Sequence, residues 1–191
     1  MKQAKAFEII SAYAQSQNAL VVSDIGSQSL WLKAAGDRDE NLYLSGPMGM
    51  ASSVALGVAM ANKDRLVIAA CGDGALGMNM TSLATISHAK PSNLIVVVLD
   101  NGIYEFTNSL PVPALGVDWS KISETYTGFE STVDLGEIEQ LDTKNGPHFV
   151  HAPIEGGELP PGPGVHPVDV HHRFKKLLSA HNVKNSTKQQ C

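Results

Sequence analysis

Cysteine is scarce in this sequence: Cys71 and Cys191 are the only two among 191 residues. Far apart and in unlike settings, they form neither a disulfide framework nor the C-x-x-C spacing of a structural zinc site. Cys71 closes an apolar run and reads as a buried, inert thiol. Cys191 ends a polar tail and is expected to be exposed. Long apolar runs are also missing. No stretch reaches the ~18 residues that a membrane span needs, and Met1-Lys2-Gln3-Ala4-Lys5 lacks the apolar region of a secretion signal. The expectation is a cytoplasmic protein with no membrane contact. Positive charge is thin: 14 Lys and Arg against 19 Asp and Glu leave a formal net charge of −5. With no basic stripe outside the tail, a nucleic-acid partner is not expected.

What is present is an ordinary globular balance, 43% hydrophobic and 17% charged. The length favours one domain, and a chain of this size buries roughly 70% of its unfolded surface without staples. Residues 2–17 have helical amphipathicity through Ala4, Phe7, Ile10 and Ala14. Ala19-Leu20-Val21-Val22 is a short strand that ends in Asp24-Ile25-Gly26-Ser27. Residues 48–62 are small and apolar and suit a helix packed closely on a sheet. Two unalternating apolar strands, 65–70 and 93–99, flank a helical stretch from 75 to about 89. A last strand covers 148–152. A Pro/Gly-rich connector, 156–167, leads to a closing helix from 168 to about 180, and 181–191 is expected to be a disordered tail. No internal repeat is visible.

Apolar strands alternating with helices predict an α/β fold: a three-layer, doubly wound, mostly parallel sheet with helices on both faces, in one domain over 1–180. Ligands of such sheets bind beyond the carboxyl ends of the strands, which selects segments 24–28, 71–77 and 100–109.

One of these carries a motif. Gly72-Asp73-Gly74-Ala75-Leu76-Gly77 follows a strand and opens a helix, so it matches the G-x-G-x-x-G dinucleotide fingerprint, with Asp100 at the end of the next strand. Chemistry counts against a nicotinamide or flavin ligand. Asp73 would lie beside the pyrophosphate and repel it by several kcal/mol at intermediate dielectric, unless a cation intervenes. Mg2+ resolves the conflict, because it takes hard oxygen ligands from one or two protein groups together with phosphate oxygens. Asp73 and Asn101 are placed to supply two of these. Backbone N–H groups near Gly74 and Ala75 can face the phosphates, and glycines at 72 and 74 keep a Cβ out of the way.

Gly72-Asp73-Gly74 followed by Asp100-Asn101 resembles the GDG…NN signature of thiamine diphosphate enzymes. The first position of that second pair is often Asn in the family and is Asp100 here. The resemblance implies Mg2+ ligands at Asp73, at Asn101 and at the backbone carbonyl of Ile103. Ser45-Gly46-Pro47-Met48-Gly49 resembles the family's G-x-M-G segment, which makes Met48 the apolar prop under a bent cofactor and Gly46 part of the same contact. Asp24-Ile25-Gly26-Ser27-Gln28 resembles the loop that approaches the diphosphate, which implies cofactor contacts at Gly26, Ser27 and Gln28, and Tyr104 follows the metal segment. The similarity covers roughly residues 1–180, the diphosphate-binding domain alone.

The family also needs a pyrimidine-binding domain, so the resemblance implies a partner chain and a hetero-oligomer. The Leu99-Asp100-Asn101-Gly102 strand end, the Gly-Pro-Met-Gly-Met-Ala-Ser-Ser helix start at 46–53 and the Pro-Val-Asp-Val…Arg-Phe closing helix resemble the β subunit of sulfopyruvate decarboxylase and its phosphonopyruvate decarboxylase relatives, which implies a small 2-oxo acid substrate. After Tyr104 those relatives tend to read Thr-Gly-Gly-Gln, whereas this chain has Thr107-Asn108-Ser109-Leu110. Glu105 and Thr107 are the candidate catalytic residues of this chain. His88, His148 and His151 read as satisfied core or edge histidines, and Arg173, Lys175 and Lys176 as a solvated helix face. An acetolactate synthase-like carboligase, a dinucleotide-dependent oxidoreductase and a non-catalytic regulatory subunit are the alternatives.

Overall fold

The computed structural model describes residues 1–113, 115–157, 160, 162 and 164–188. In chain order the elements are α1 (Gln3–Ser16), β1 (Leu20–Ser23), α2 (Ser27–Ala35), β2 (Asn41–Tyr43), α3 (Ala51–Ala61), β3 (Val67–Gly72), α4 (Asp73–Met78), α5 (Thr81–Ala89) and β4 (Leu94–Asp100). There follow a short hairpin of β5 (Ile103–Tyr104) and β6 (Leu110–Pro111), then α6 (Trp119–Thr125), β7 (Ser131–Asp134), a 3-10 turn (Leu135–Gln140), β8 (His148–Pro153) and α7 (Pro167–Lys188).

Six strands make one sheet in the order β2-β1-β3-β4-β8-β7, and every pairing in it is parallel. From β1 the chain winds outward to β2, then returns to place β3 on the other flank of β1. The winding therefore reverses between β1 and β3, and a crevice opens at their carboxyl ends. Register aligns those ends: Ser23 pairs with Ala70, and Gly72 with Leu99.

The apolar runs face two cores. Ile68, Ala70, Ile95, Val97 and Leu99 pack against Phe7, Ile10 and Ala14 of α1 on one face. Val67, Ala69, Cys71, Val96 and Val98 pack against Ala51, Ala55 and Ala59 of α3, Leu83 and Ile86 of α5, and Trp119 on the other. Alternate residues serve opposite faces, as the period of two demands. Burying a Val, Leu or Ile fully contributes about 1.5–3 kcal/mol, so the apolar runs of β3 and β4 are what hold the layers together. The small residues of α3 face inward, while Gly57 and Met60 face outward. Cys71 is buried, as its setting implied. No helix among the described residues is long and apolar enough to cross a membrane.

Several elements depart from the sequence reading. The edge strands β2 and β7 were not evident, because Asn-Leu-Tyr and Ser-Thr-Val-Asp carry too few apolar residues to announce themselves. The helix expected over 75–89 is two helices: α4 starts at Asp73 itself and stops at Met78. The break is held by Asn79, whose Nδ2 donates to the Gly49 carbonyl at 2.8 Å. α7 runs on to Lys188, where the sequence suggested an end near 180 and a disordered 181–191. Residues 181–188 contain no Pro or Gly to stop it. Cys191 lies outside the described residues.

Candidate metal–diphosphate site

At the carboxyl edge, the loops after β1, β3 and β4 converge with Met48 on a cavity of about 220 Å³. Gly26, Ser27, Gln28, Met48, Gly72, Asp73, Gly74, Ala75, Asn101, Ile103 and Tyr104 all line it, as do Glu105 and Thr107. Gly46 does not. With φ +113 and open space around it, Gly46 instead turns the chain ahead of Pro47. Ile25 and Phe106 also line the cavity and were not singled out by sequence, since nothing marks an apolar loop residue as facing a ligand.

Asp73 is the first residue of α4 and is 3% exposed. Its Oδ2 accepts the Gly102 N–H at 2.9 Å, which ties the end of β3 to the turn after β4. Burial pushes its carboxyl up to about 6; the N–H groups of Gly74 and Gly102 pull it down, and the neighbouring Asp100 raises it further. The Gly74 N–H is thus turned towards Asp73. Asn101 Oδ1 accepts the Ile103 N–H at 3.0 Å, a tight Asx turn that fixes the amide at the mouth of β4.

The glycines have a reason of their own within the fold, beside the one the sequence suggested. A Cβ at Gly72 would meet the Gln28 amide nitrogen at 2.6 Å, and one at Gly74 would collide with the Tyr104 ring and, at 2.8 Å, with Val112. They make room for neighbouring loops, and those loops form the cavity wall.

Asp24, expected with the diphosphate loop, turns away from the cavity. It is 1% exposed and accepts the Gly49 N–H at 3.0 Å, just before α3. Burial pushes its carboxyl up to about 6 against the pull of the Gly49, Met50 and Ala51 N–H groups, although its Oδ2 forms no full hydrogen bond. Asp24 thus fixes the segment carrying Met48 from beneath. Sequence reasoning missed this because the two partners are 25 positions apart.

The histidines divide. His148 is satisfied by Ser131 at 2.7 Å and the Asp142 carbonyl at 2.8 Å. His151 meets Asp100 at 3.0 Å, and His88 is exposed on α5. Arg173 is not on a purely solvated face: it pairs with Asp37 at 2.7 Å and stacks over the Tyr43 ring at 5.3 Å. Lys175 and Lys176 are exposed.

Among the described residues no three His, Cys, Asp or Glu side chains converge on a metal position. A zinc-type site is therefore not built here. The oxygens that the predicted ligand positions offer are hard ones: the Asp73 carboxylate, the Asn101 amide and the Ile103 backbone carbonyl. That set suits Mg2+ when a diphosphate completes the shell.

A doubly wound parallel sheet with such oxygens at its switch point defines the class: a diphosphate-binding α/β domain. Residues 24–140 match the family described as thiamine pyrophosphate enzyme, C-terminal TPP binding domain. The chain is 34% identical over 159 residues to the sulfopyruvate decarboxylase subunit beta of Methanothermobacter thermautotrophicus, covering 82% of this chain and 84% of that one. It is 34% identical over 170 residues to the phosphonopyruvate decarboxylase of Streptomyces hygroscopicus, covering 84% of this chain but 42% of that protein. The chain thus spans less than half of that relative's length. The solved thiamine diphosphate-dependent 4-hydroxybenzoylformate decarboxylase of Rhodococcus jostii RHA1 superposes with a TM-score of 0.68 at 23% identity, over 83% of this chain and 33% of that one. It shares the fold. This chain belongs to the thiamine pyrophosphate enzyme family, as its C-terminal TPP-binding domain.

Proposed function

We propose that this chain is the Mg2+- and thiamine diphosphate-binding subunit of a two-chain 2-oxo acid decarboxylase of the sulfopyruvate and phosphonopyruvate decarboxylase group. The observation that carries the reading is the convergence of Asp73, Asn101, Ile103 and Met48 on one cavity at the switch point of the sheet. Asp73, Asn101 and the Ile103 carbonyl would hold Mg2+. Gly26, Ser27 and Gln28 form the wall after β1, and Met48 supplies an apolar surface beneath the cofactor. When bound, thiamine diphosphate would supply a nucleophilic carbon for the ketone and a cationic thiazolium ring as the electron sink for decarboxylation. This chain's residues anchor, orient and enclose.

Two features support a partner chain bearing a pyrimidine domain. The match to a protein named subunit beta covers most of both chains. Around the loop beyond the site, Met78, Phe106, Leu110 and Leu115 are each more than half exposed. Large apolar side chains gathered at a ligand cleft mark a surface that another chain covers.

The test is calorimetric titration of the chain with thiamine diphosphate, with and without Mg2+, alone and after adding the pyrimidine-domain chain. Mg2+-dependent binding, tightened by the partner, is expected. Absence of Mg2+-dependent binding in both states overturns the proposal.

A further inference from the structure

The metal–diphosphate cavity has no Lys, Arg or His among its described lining residues. A 2-oxo acid that bears a sulfonate or phosphonate carries a second anionic group, and no cationic side chain of that lining meets it. A second cavity, of about 290 Å³, adjoins the first, and Gly26 and Phe106 belong to both linings. Its other walls include Ser29 and Lys33 of α2, Tyr43 and Ser45 where β2 ends, and Gly164 and Val165 ahead of α7.

Phe106 is the partition between the two. A Cβ at Gly26 would lie 3.2 Å from Phe106 Cδ2, so the ring rests directly on the Gly26 backbone. Phe106 is also more than half exposed, so it can turn outward without displacing packed core.

The second cavity has the charge that the first lacks. Lys33 is the one charged side chain in its lining among the described residues. Asp37, the carboxylate on which Lys33 acts, is already engaged. Arg173 donates to its Oδ1 at 2.7 Å, and the Tyr43 hydroxyl donates to the same atom at 2.9 Å. Burial raises the Asp37 carboxyl, but hydrogen bonds from Arg173 and Tyr43 and the charges of Arg173 and Lys33 outweigh it and hold the group below its usual range. Two cations thus act on one carboxylate, and the balance at this wall is positive.

We infer that the second cavity is the subsite for the distal oxyanion of the substrate, a sulfonate or phosphonate held by the Lys33 ammonium and the Ser45 hydroxyl. This rests on the decarboxylase reading above and names the residue that sets its substrate class. The 2-oxo acid end lies with the cofactor in the first cavity. The distal group crosses at Phe106, where Gly26 adds no side chain to the wall. Lys33 suits a tetrahedral oxyanion, because its ammonium is a compact charge with three donors. Ser29 contributes less, since its hydroxyl is spent on the Asp24 carbonyl at 2.6 Å. A hydrogen bond to a charged group changes affinity roughly tenfold to hundredfold.

The test uses the full chain with its pyrimidine-domain partner, loaded with Mg2+ and thiamine diphosphate. kcat/KM is compared for sulfopyruvate and phosphonopyruvate against pyruvate, in wild type, Lys33→Gln and Lys33→Arg. The acids with a distal oxyanion are expected to be favoured at least tenfold in wild type. Lys33→Gln is expected to cut that preference about tenfold or more, through KM rather than kcat, and Lys33→Arg to retain most of it. Inorganic sulfate separates a substrate subsite from an effector site: it is expected to inhibit competitively against sulfopyruvate, and more weakly in Lys33→Gln. Non-competitive inhibition by sulfate, or a wild-type preference for pyruvate, overturns the inference and leaves the cofactor reading intact. So does an unchanged preference in Lys33→Gln, with calorimetric cofactor binding showing the variant folded. Absence of Mg2+-dependent cofactor binding in wild type overturns both.

Discussion

The Gly102 backbone N–H donates to Asp73 Oδ2 across 2.9 Å, joining the first residue of α4 to the turn that follows β4. These residues follow the adjacent parallel strands β3 and β4, so the bond closes the crevice floor. With Asn101 fixed by its own turn to Ile103, two of the proposed metal ligands are held in place by hydrogen bonds within the protein. Such preorganisation reduces the ordering that binding must otherwise oppose.

Asp73→Ala removes a proposed ligand and the anchor of Gly102 together. Hydrogen bonds to charged groups contribute about 1.5–3 kcal/mol, so Mg2+-dependent thiamine diphosphate affinity is expected to fall at least tenfold and roughly hundredfold or more with the lost ligand. Asn101→Ala is expected to act in the same direction. Calorimetric affinity equal to wild type in Asp73→Ala would refute the ligand assignment.

Asp24 predicts a pH dependence of stability. Its carboxyl is raised from 3.8 to about 6 by burial, so between those values the native state holds the proton more tightly than the unfolded chain. Its contribution to stability is complete below 3.8 and lost as the pH rises through 6. Asp24→Asn does not titrate. Relative to wild type it should gain stability between pH 4 and pH 7, by roughly 3 kcal/mol for a shift of about two units at 1.36 kcal/mol each. Urea denaturation across that interval measures the difference. A flat difference means that Asp24 does not titrate in the folded protein as proposed.

Gly49 has φ +81, and a Cβ there would come within 2.6 Å of the Ala75 carbonyl oxygen. Gly49→Ala is expected to destabilise the fold by about 1–3 kcal/mol through backbone strain and that clash. The same change should displace Met48, so cofactor affinity should drop with it. Wild-type values for both stability and affinity would contradict the close packing of α3 on α4.

Asn93 is buried ahead of β4, and its Nδ2 donates to the Asn62 carbonyl at 2.9 Å and the Arg65 carbonyl at 2.7 Å, with Ala59 at 3.2 Å. Asn93→Ala leaves those buried carbonyls without their donor, at about 1–3 kcal/mol. Equilibrium unfolding should show the loss, with cofactor affinity kept once the protein is folded. This residue sits at the opposite end of β4 from the cavity, and so separates structural from functional effects.

Much of the fold and of the site is legible in the residues themselves, for identifiable reasons. The stretches 67–72 and 94–99 are covered on both faces, so their residues are apolar without interruption. The Gly72-Asp73-Gly74 loop is the basis for proposing a cation, because a carboxylate beside a diphosphate is otherwise repelled. β2 and β7 sit at the sheet edges and carry mixed residues that resemble loop. The β5–β6 hairpin and α6 fall in a stretch with no clear period. Gly46 carries the same motif as Met48, yet only Met48 reaches the cavity.

The sequence by itself determined the α/β class, the central strands and the chemical identity of the proposed ligands, because burial and charge act on residue type wherever the chain runs. Tertiary structure decided what depends on distance between remote segments. It turned Asp24 from the expected ligand loop into an anchor for Gly49. It filled the space at Gly72 and Gly74 with Gln28 and Tyr104, and it laid the Phe106 ring over Gly26. Each of these is a relationship between residues brought together by sheet register and loop packing. No local pattern contains it.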